Sequence, residues 1–368
     1  MLTAEGAEAL AAVEEEWNAL AVLGASPFLT TDWLSAWWQA FGAGVLRVVT
    51  LREPADGRLR AGVAFAVRRR RLSAPANYHS GNWDAVAVDD EARAELWRRL
   101  AASSARELVL TGLPDAANGP CAATLTGAGF RLVREPGQLS PIVILPSSFD
   151  SLLRARSSNL RSQVGRRTRA LARAGTLTFR TGRTDGADLD AVFRVEGGGW
   201  KRAAGTAILA DARAERLYRE FARSAAERGW LRLHLLELDG EPIAADYAVA
   251  FAGGEFLLKT GFDERYRAWS PGLVLRAHVL RAAIEEGLSF YDFLGEADPY
   301  KLRWTNEIRA RVTLRAYRGP VALPAFAYRR GLRPVLKSLR DDLARRSPRP
   351  AHASAPAAGR TDGEGPAL

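Results

Sequence analysis

The sequence predicts an α/β (α+β) fold, in which mixed, mostly antiparallel sheet is flanked by helices in two successive halves. Three observations carry that expectation. The 368 residues exceed the usual size of one domain and suit two of about 150 to 170. Runs with an apolar period of two alternate along the chain with runs of helical period. Residues 230–261 also hold three strand-like runs in succession, the last two meeting at Gly253-Gly254, a strong hairpin signal.

In chain order, residues 5–21 predict an amphipathic helix. PFLTTDWLSAWWQAFG predicts a second, capped by Thr30 or Thr31 and carrying Trp33, Trp37 and Phe41 at helical spacing. Strands 45–51 and 59–67 follow, the latter ending in a solvated run, Arg68 to Arg71. NYHSGNWD (77–84) reads as a polar, aromatic loop before a short strand, 85–88. A helix (90–103), a strand (107–111), a helix (119–127) and two strands (129–134, 140–145) complete a first domain, residues 1–146.

The second domain, 147–320, opens with a long basic helix capped near Ser147 or Ser148. Leu153, Leu160, Val164 and Leu171 give it one narrow apolar stripe, and Gly175 ends it. Strand 176–181, helices 186–200 and 209–228, and strands 230–238, 242–252 and 254–261 come next. Helix 271–286, strand 289–294, a short helix near 298–304 and strand 308–317 follow. Residues 321–345 form a basic helix that could rest on an anionic membrane surface. The Pro/Ala/Ser/Gly-rich stretch 346–368 is expected to be disordered.

Composition narrows the function. A hydrophobic content of 47% with ten tryptophans supplies a packed core. No run approaches the roughly 18 apolar residues of a membrane helix, and the acidic start MLTAEGAEALAAVEEEW is unlike a signal peptide. The expected compartment is the cytoplasm. A single cysteine, Cys121, excludes an internal disulfide framework and a cysteine zinc site, and four scattered histidines argue against a metal cluster. His234, alternating with leucines on its strand, reads as a core histidine. The net charge of +10 favours phosphorylated or polyanionic partners.

Two stretches point to chemistry. With Gly253-Gly254 as the turn pair, Ala248 faces Lys259 and Asp246 faces Gly261. Ala244, Asp246, Ala248, Ala250, Leu257, Lys259 and Gly261 then share one face, with Asp246 and Lys259 as diagonal neighbours. Such small residues accommodate either a packed helix or a substrate. In WSPGLVL, Ser270 can cap a helix, Pro271 suits its first position, and Gly272 admits close approach; free N–H groups there suit an anion. Lysines add a third clue. Of 52 basic residues only Lys201, Lys259, Lys301 and Lys337 are lysine, and the first three fall in the second domain.

The segments LRSQVGRRTRALARAG, EGGGWKRAAGTAIL, LELDGEPIAADYAVAF, LLKTGFDERYRAWSPGLVL and FYDFLGEADPYKLRW resemble, in that order, the CelD-like and FemAB-like branch of the GNAT acyltransferase superfamily. FLTTDWLSAWWQAFG near the N-terminus is similar to the same branch, whose members often carry two GNAT-like halves. The resemblance implies tandem GNAT-like domains, the first degenerate. It also implies a splay between strands 254–261 and 289–294, with acyl-coenzyme A between them and its diphosphate on helix 271–286. The phosphate loop of that superfamily is usually richer in glycine than Arg267-Ala268-Trp269-Ser270-Pro271-Gly272. FemAB-like relatives instead take an aminoacyl group from tRNA, so both donors stay open.

Under this resemblance, Lys259, Thr260, Ser270, Pro271, Gly272, Leu273 and Val274 would hold the co-substrate, and Lys201, Lys259 and Lys301 would surround the splay. Acyl transfer to an amine needs a base, polarisation of the carbonyl and an acid. Asp246 and Glu196 are the leading bases, with Asp292 a third or a helix-capping group. Tyr300 or Tyr266 would be the acid, with Lys301 beside them, and Trp200 and Trp304 would wall the acceptor. The expected activity is N-acylation of an amino sugar or small amine, in polysaccharide or envelope biosynthesis. The alternatives are an aminoacyl-tRNA-dependent enzyme and a non-catalytic scaffold binding through its basic surface.

Overall fold

The computed structural model describes residues 1–184, 186–198, 207–320 and 323–332. The first half runs β1 (Leu2–Glu5), α1 (Glu8–Ala11), α2 (Glu14–Leu23), α3 (Thr31–Phe41), β2 (Val45–Arg52), β3 (Leu59–Arg68), β4 (Arg71–Ser73), β5 (Val86–Ala87), α4 (Asp90–Ala101), β6 (Glu107–Pro114), α5 (Asp115–Gly127) and β7 (Arg131–Ile144). The second runs α6 (Phe149–Arg154), α7 (Ser158–Ala174), β8 (Leu177–Gly182), α8 (Ala187–Glu196), α9 (Ala212–Glu227), β9 (Leu231–Leu238), β10 (Glu241–Phe251), β11 (Gly254–Phe262), α10 (Pro271–Glu285), β12 (Phe290–Asp292), α11 (Pro299–Leu302) and β13 (Ile308–Tyr317). Leu323–Ala327 is a short helix continued by a π-turn, Tyr328–Leu332. The rest of the expected basic helix and the tail lie outside the described residues.

The strands join in one sheet of order β1-β2-β3-β4-β6-β13-β7-β12-β11-β10-β9-β8, with β5 beside β3. Two features knit the halves. β13, from the end of the second half, sits between β6 and β7 of the first. β7 pairs along most of its length with β13 and at Ile142 to Ile144 with β12. It is one strand where the sequence suggests two.

Other departures have local causes. The first expected helix is preceded by β1, which pairs with β2, and is broken into α1 and α2. The long basic helix is also two: Ser148 caps α6, and Ser157 accepts from the Leu160 amide to start α7. A serine cap inside the apolar stripe thus outweighs the continuity of that stripe. α3 follows expectation, with the Thr30 hydroxyl accepting from the Trp33 amide.

The β10–β11 hairpin shows the largest difference. Its turn pair is Ala252-Gly253, with φ of 46° and 77°, the two positive values of a type I′ loop. Phe251 therefore faces Gly254, and the register shifts again at a bulge between Tyr247 and Ala248. Asp246 faces Thr260, and Lys259 faces Tyr247. Because side chains alternate, Asp246 and Lys259 lie on opposite faces of the sheet.

Those faces carry different packing. One holds Tyr247, Val249, Phe256, Leu233 and Leu235 against Phe193, Tyr218 and Phe221 of α8 and α9. The other holds Ala244, Leu257 and Leu236 against Val274, Val279 and Leu280 of α10 and Leu160 and Leu171 of α7.

Candidate functional site

The site begins where two parallel strands part. β11 and β12 pair at only three positions, Gly254 to Phe256 with Phe290 to Asp292. β11 then runs on to Phe262, whereas Leu294 and Gly295 take φ of 50° and 63° and turn the chain away. That turn is built by side chains. The Asp292 carboxylate accepts from the Leu294 amide (2.9 Å) and the Ser140 hydroxyl. Lys301 Nζ donates to the carbonyls of Leu294 (2.9 Å) and Glu296 (2.8 Å) and lies 3.0 Å from Asp298.

The result is a cavity of about 800 Å³ between the strands. Among the described residues, no strand pairs with the outer edge of β11 from Leu257 onward. On the α10 face, the cavity is lined by Ser270 to Leu273, with Arg267 and Arg303 nearby. Ser270 has φ 54° and ψ 57°, a left-handed conformation uncommon for serine, and makes no side-chain cap. Pro271 has no N–H, and the Leu273 amide turns back to Ser270 (3.0 Å). The Gly272 amide has no partner among the described residues. A Cβ there would meet only Phe262, at 3.7 Å.

On the opposite face the cavity reaches Glu196, Tyr218 and Lys259, together with Tyr78, His79 and Ser80 from the first half. Glu196 is buried at the end of α8, and its Oε2 accepts from the Ile208 amide (2.9 Å). Gly261 permits this, because a Cβ on it would lie 2.5 Å from Glu196 Cα. Lys259 Nζ lies 5.2 Å over the Tyr218 ring, and the Tyr218 hydroxyl is 2.9 Å from His79 Nδ1. Burial, then the charge of Lys259, holds His79 down at about 3, so its ring is neutral near neutral pH. Burial pushes the Tyr218 phenol well above its usual range. The splay is thus a passage through the sheet, open to a helix start on one face and to polar side chains on the other.

The expected residues separate accordingly. Glu196, Lys259, Thr260, Ser270, Pro271, Gly272, Leu273, Tyr300, Lys301 and Trp304 line the cavity. Burial raises the Tyr300 phenol, with Arg276 pulling against it, although the residue as a whole is 44% exposed. Lys301 is buried as the clamp of the 294–296 turn.

Asp246 is a correction. It is sealed beneath α10, with Arg276 Nη2 2.8 Å from its Oδ2, and neither carboxylate oxygen has a hydrogen bond among the described residues. Asp292 is also buried outside the cavity and shapes the turn. Val274 is wholly buried in the core. Tyr266 packs on Trp269 rather than lining the cavity. Trp200 and Lys201 lie outside the described residues. His234 is a core residue, bonded to Thr181 (2.9 Å) and Glu255 (2.8 Å). Tyr78, His79, Ser80 and Tyr218 carry no periodicity or motif; the one available signal is the polar, aromatic loop NYHSGNWD.

Among the described residues, no cluster of His, Cys, Asp or Glu could hold a metal ion. None of their helices is long and apolar enough to cross a membrane.

A family model for an acetyltransferase (GNAT) domain matches residues 158–302, from α7 through α11. No curated protein sequence matches the chain. Among solved structures, FemX aligns with TM-score 0.59 at 13% identity, covering 89% of this chain and 99% of that one. The C-terminal domain of an Agrobacterium fabrum protein assigned as a lysylphosphatidylglycerol synthetase gives 0.54 at 14%, covering 87% and 97%. A Bacteroides thetaiotaomicron protein of unknown function gives 0.52 at 10%, covering 77% and 89%. At these identities the likeness is one of fold.

Proposed function

We infer, for a chain whose residues 158–302 are a GNAT acyltransferase domain, that it moves an acyl group from acyl-coenzyme A to the amine of an amino sugar or other small amine. The observation that carries this reading is the passage between β11 and β12, reached from both faces of the sheet. Two substrates entering from opposite faces would meet at the strand edge without competing for one mouth.

The residues of the α10 face fit the donor. A helix start whose Gly272 amide has no partner among the described residues, with Arg267 and Arg303 in the cavity lining, suits a diphosphate. The edge of β11 from Leu257 onward, which no described strand pairs, suits a chain of amides laid along it as an added strand would be. Ser270 holds its strained conformation where that helix start meets the cavity, as strain often collects at ligand clamps. The donor supplies the activated thioester. Glu196 would take the proton from the amine, directly or through one water, and Tyr300, kept protonated, would return one to the leaving sulfur. A cavity left open rather than filled by side chains favours an enzyme over a scaffold.

A second reading, an aminoacyl donor carried on tRNA, is favoured by the exposed arginines of α7, which reach the donor mouth. Arg167 bonds the Ala268 carbonyl (2.6 Å), and Gln163 accepts from Arg303 (2.9 Å). That donor requires steeply salt-dependent tRNA binding.

Turnover separates the two candidate bases. Thiol release from acyl-coenzyme A in the presence of amines should fall about 100-fold or more in Glu196→Gln. Asp246→Asn should keep most of its kcat per folded molecule. The reverse pattern would remove Glu196 and return Asp246 to the role.

A further inference from the structure

The first half of the chain contributes more than sheet to this site. Its loop after β4 places His79 and Ser80 in the cavity wall, 7% and 6% exposed. Each carries a buried polar atom, His79 Nε2 and Ser80 Oγ, with no hydrogen-bond partner among the described residues. Leaving such an atom unpaired costs about 1 to 3 kcal/mol, so two neighbours lining one cavity call for a ligand. Both are held in place rather than loose, Ser80 by its amide, which donates to the Asn77 carbonyl (3.0 Å). The His79 ring stacks on Phe41 (5.4 Å) and lies tilted against Tyr78 (3.9 Å), and its Nδ1 is fixed by the Tyr218 hydroxyl.

We propose that His79 and Ser80 recognise the acceptor, and that the acceptor is an amine with neighbouring hydroxyl groups, as in an amino sugar. The assignment rests on the acyl-transfer reading and narrows its acceptor. A neutral imidazole with one nitrogen already bonded presents the other as a single donor or a single acceptor, according to tautomer. The serine hydroxyl supplies one donor and two lone pairs. Adjacent neutral groups of this kind match a hydroxyl-bearing ligand, whereas an amine on a hydrocarbon body can engage them through its nitrogen alone. Lys259, on the same side of the sheet, adds a second effect. Its charge disfavours a bound ammonium and favours the free amine, the form that can attack a thioester.

The test titrates the full-length chain with 2-, 3- and 4-amino-deoxyhexoses, with cyclohexylamine, and separately with acetyl-coenzyme A. At least one amino sugar should bind, and cyclohexylamine at least tenfold more weakly. His79→Gln and Ser80→Ala should each weaken the sugar about tenfold while the acetyl-coenzyme A Kd stays within twofold. Binding of acetyl-coenzyme A with no amino sugar bound, equal binding of cyclohexylamine, or unchanged sugar affinity in both variants would each overturn the assignment. If the sugar binds through His79 and Ser80 but no acyl-coenzyme A does, the donor reading falls and the recognition site stands. Should His79→Gln fold poorly, Ser80→Ala and the imidazole ¹⁵N shifts of the wild-type chain decide the same question. Those shifts should move on adding sugar, and stationary shifts would count against the proposal.

Discussion

The two faces of the β10–β11 hairpin make an instructive pair. On one, Asp246 meets Arg276 beneath α10, both charges are buried, and Arg276 Nη1 also donates to the Tyr291 hydroxyl. On the other, Lys259, Glu196 and His79 border a cavity. Both faces carry buried ionisable groups, so charge and burial alone do not mark a reactive site. Space does. The body of α10 covers Asp246 on the first face, where the passage opens only at the start of that helix, whereas on the second face it opens beside Lys259, Glu196 and His79.

That contrast yields graded expectations. The largest effect belongs to the sealed face. Arg276→Met leaves the Asp246 carboxylate buried without its cation, and breaking such a pair costs about 3 to 5 kcal/mol. Urea unfolding should show the loss, and the double variant Arg276→Met with Asp246→Leu should recover much of it. A single variant as stable as the wild type would mean that the pair carries no weight in the core.

The open face should respond to pH instead. His79 has its folded value depressed to about 3, so between pH 6.5 and 3 the unfolded chain binds more protons than the folded one. Stability from this residue is complete above pH 6.5 and declines as pH falls, by about 1.4 kcal/mol per pH unit. The groups that set this are burial, Lys259 and, in the opposite sense, Asp211. Going from pH 7 to pH 5, the wild type should lose about 2 kcal/mol more than His79→Gln. Equal losses would mean that the ring is solvated and freely protonated.

Much of this architecture is legible in the sequence, and the exceptions share a cause. Thr30 capping, Pro271 at the first position of its helix and the limits of β13 follow from local chemistry and emerge as expected, whereas Ser270 makes no side-chain cap. The Asp246 assignment does not, because it depends on register. A turn displaced by one residue and a bulge at Tyr247 decide which side chains share a face, and the sequence marks neither. Lys259 and Lys301 do meet at the cavity, but for unlike reasons: Lys301 clamps a backbone turn, while Lys259 flanks Tyr218. His79 and Ser80 stay hidden for a third reason. Residues more than a hundred positions from β11 reach it only because β13 and β7 stitch the halves into one sheet.

The proposed acyl transfer from acyl-coenzyme A requires a donor that enters the passage from the α10 face. Isothermal titration of the full-length chain with acetyl-coenzyme A and with longer acyl-coenzyme A esters measures that directly. A saturable heat near one donor per chain, with desulfo-coenzyme A competing for the same site, is the result expected. No heat with any of these thioesters would contradict it and leave the aminoacyl-tRNA donor as the reading to pursue.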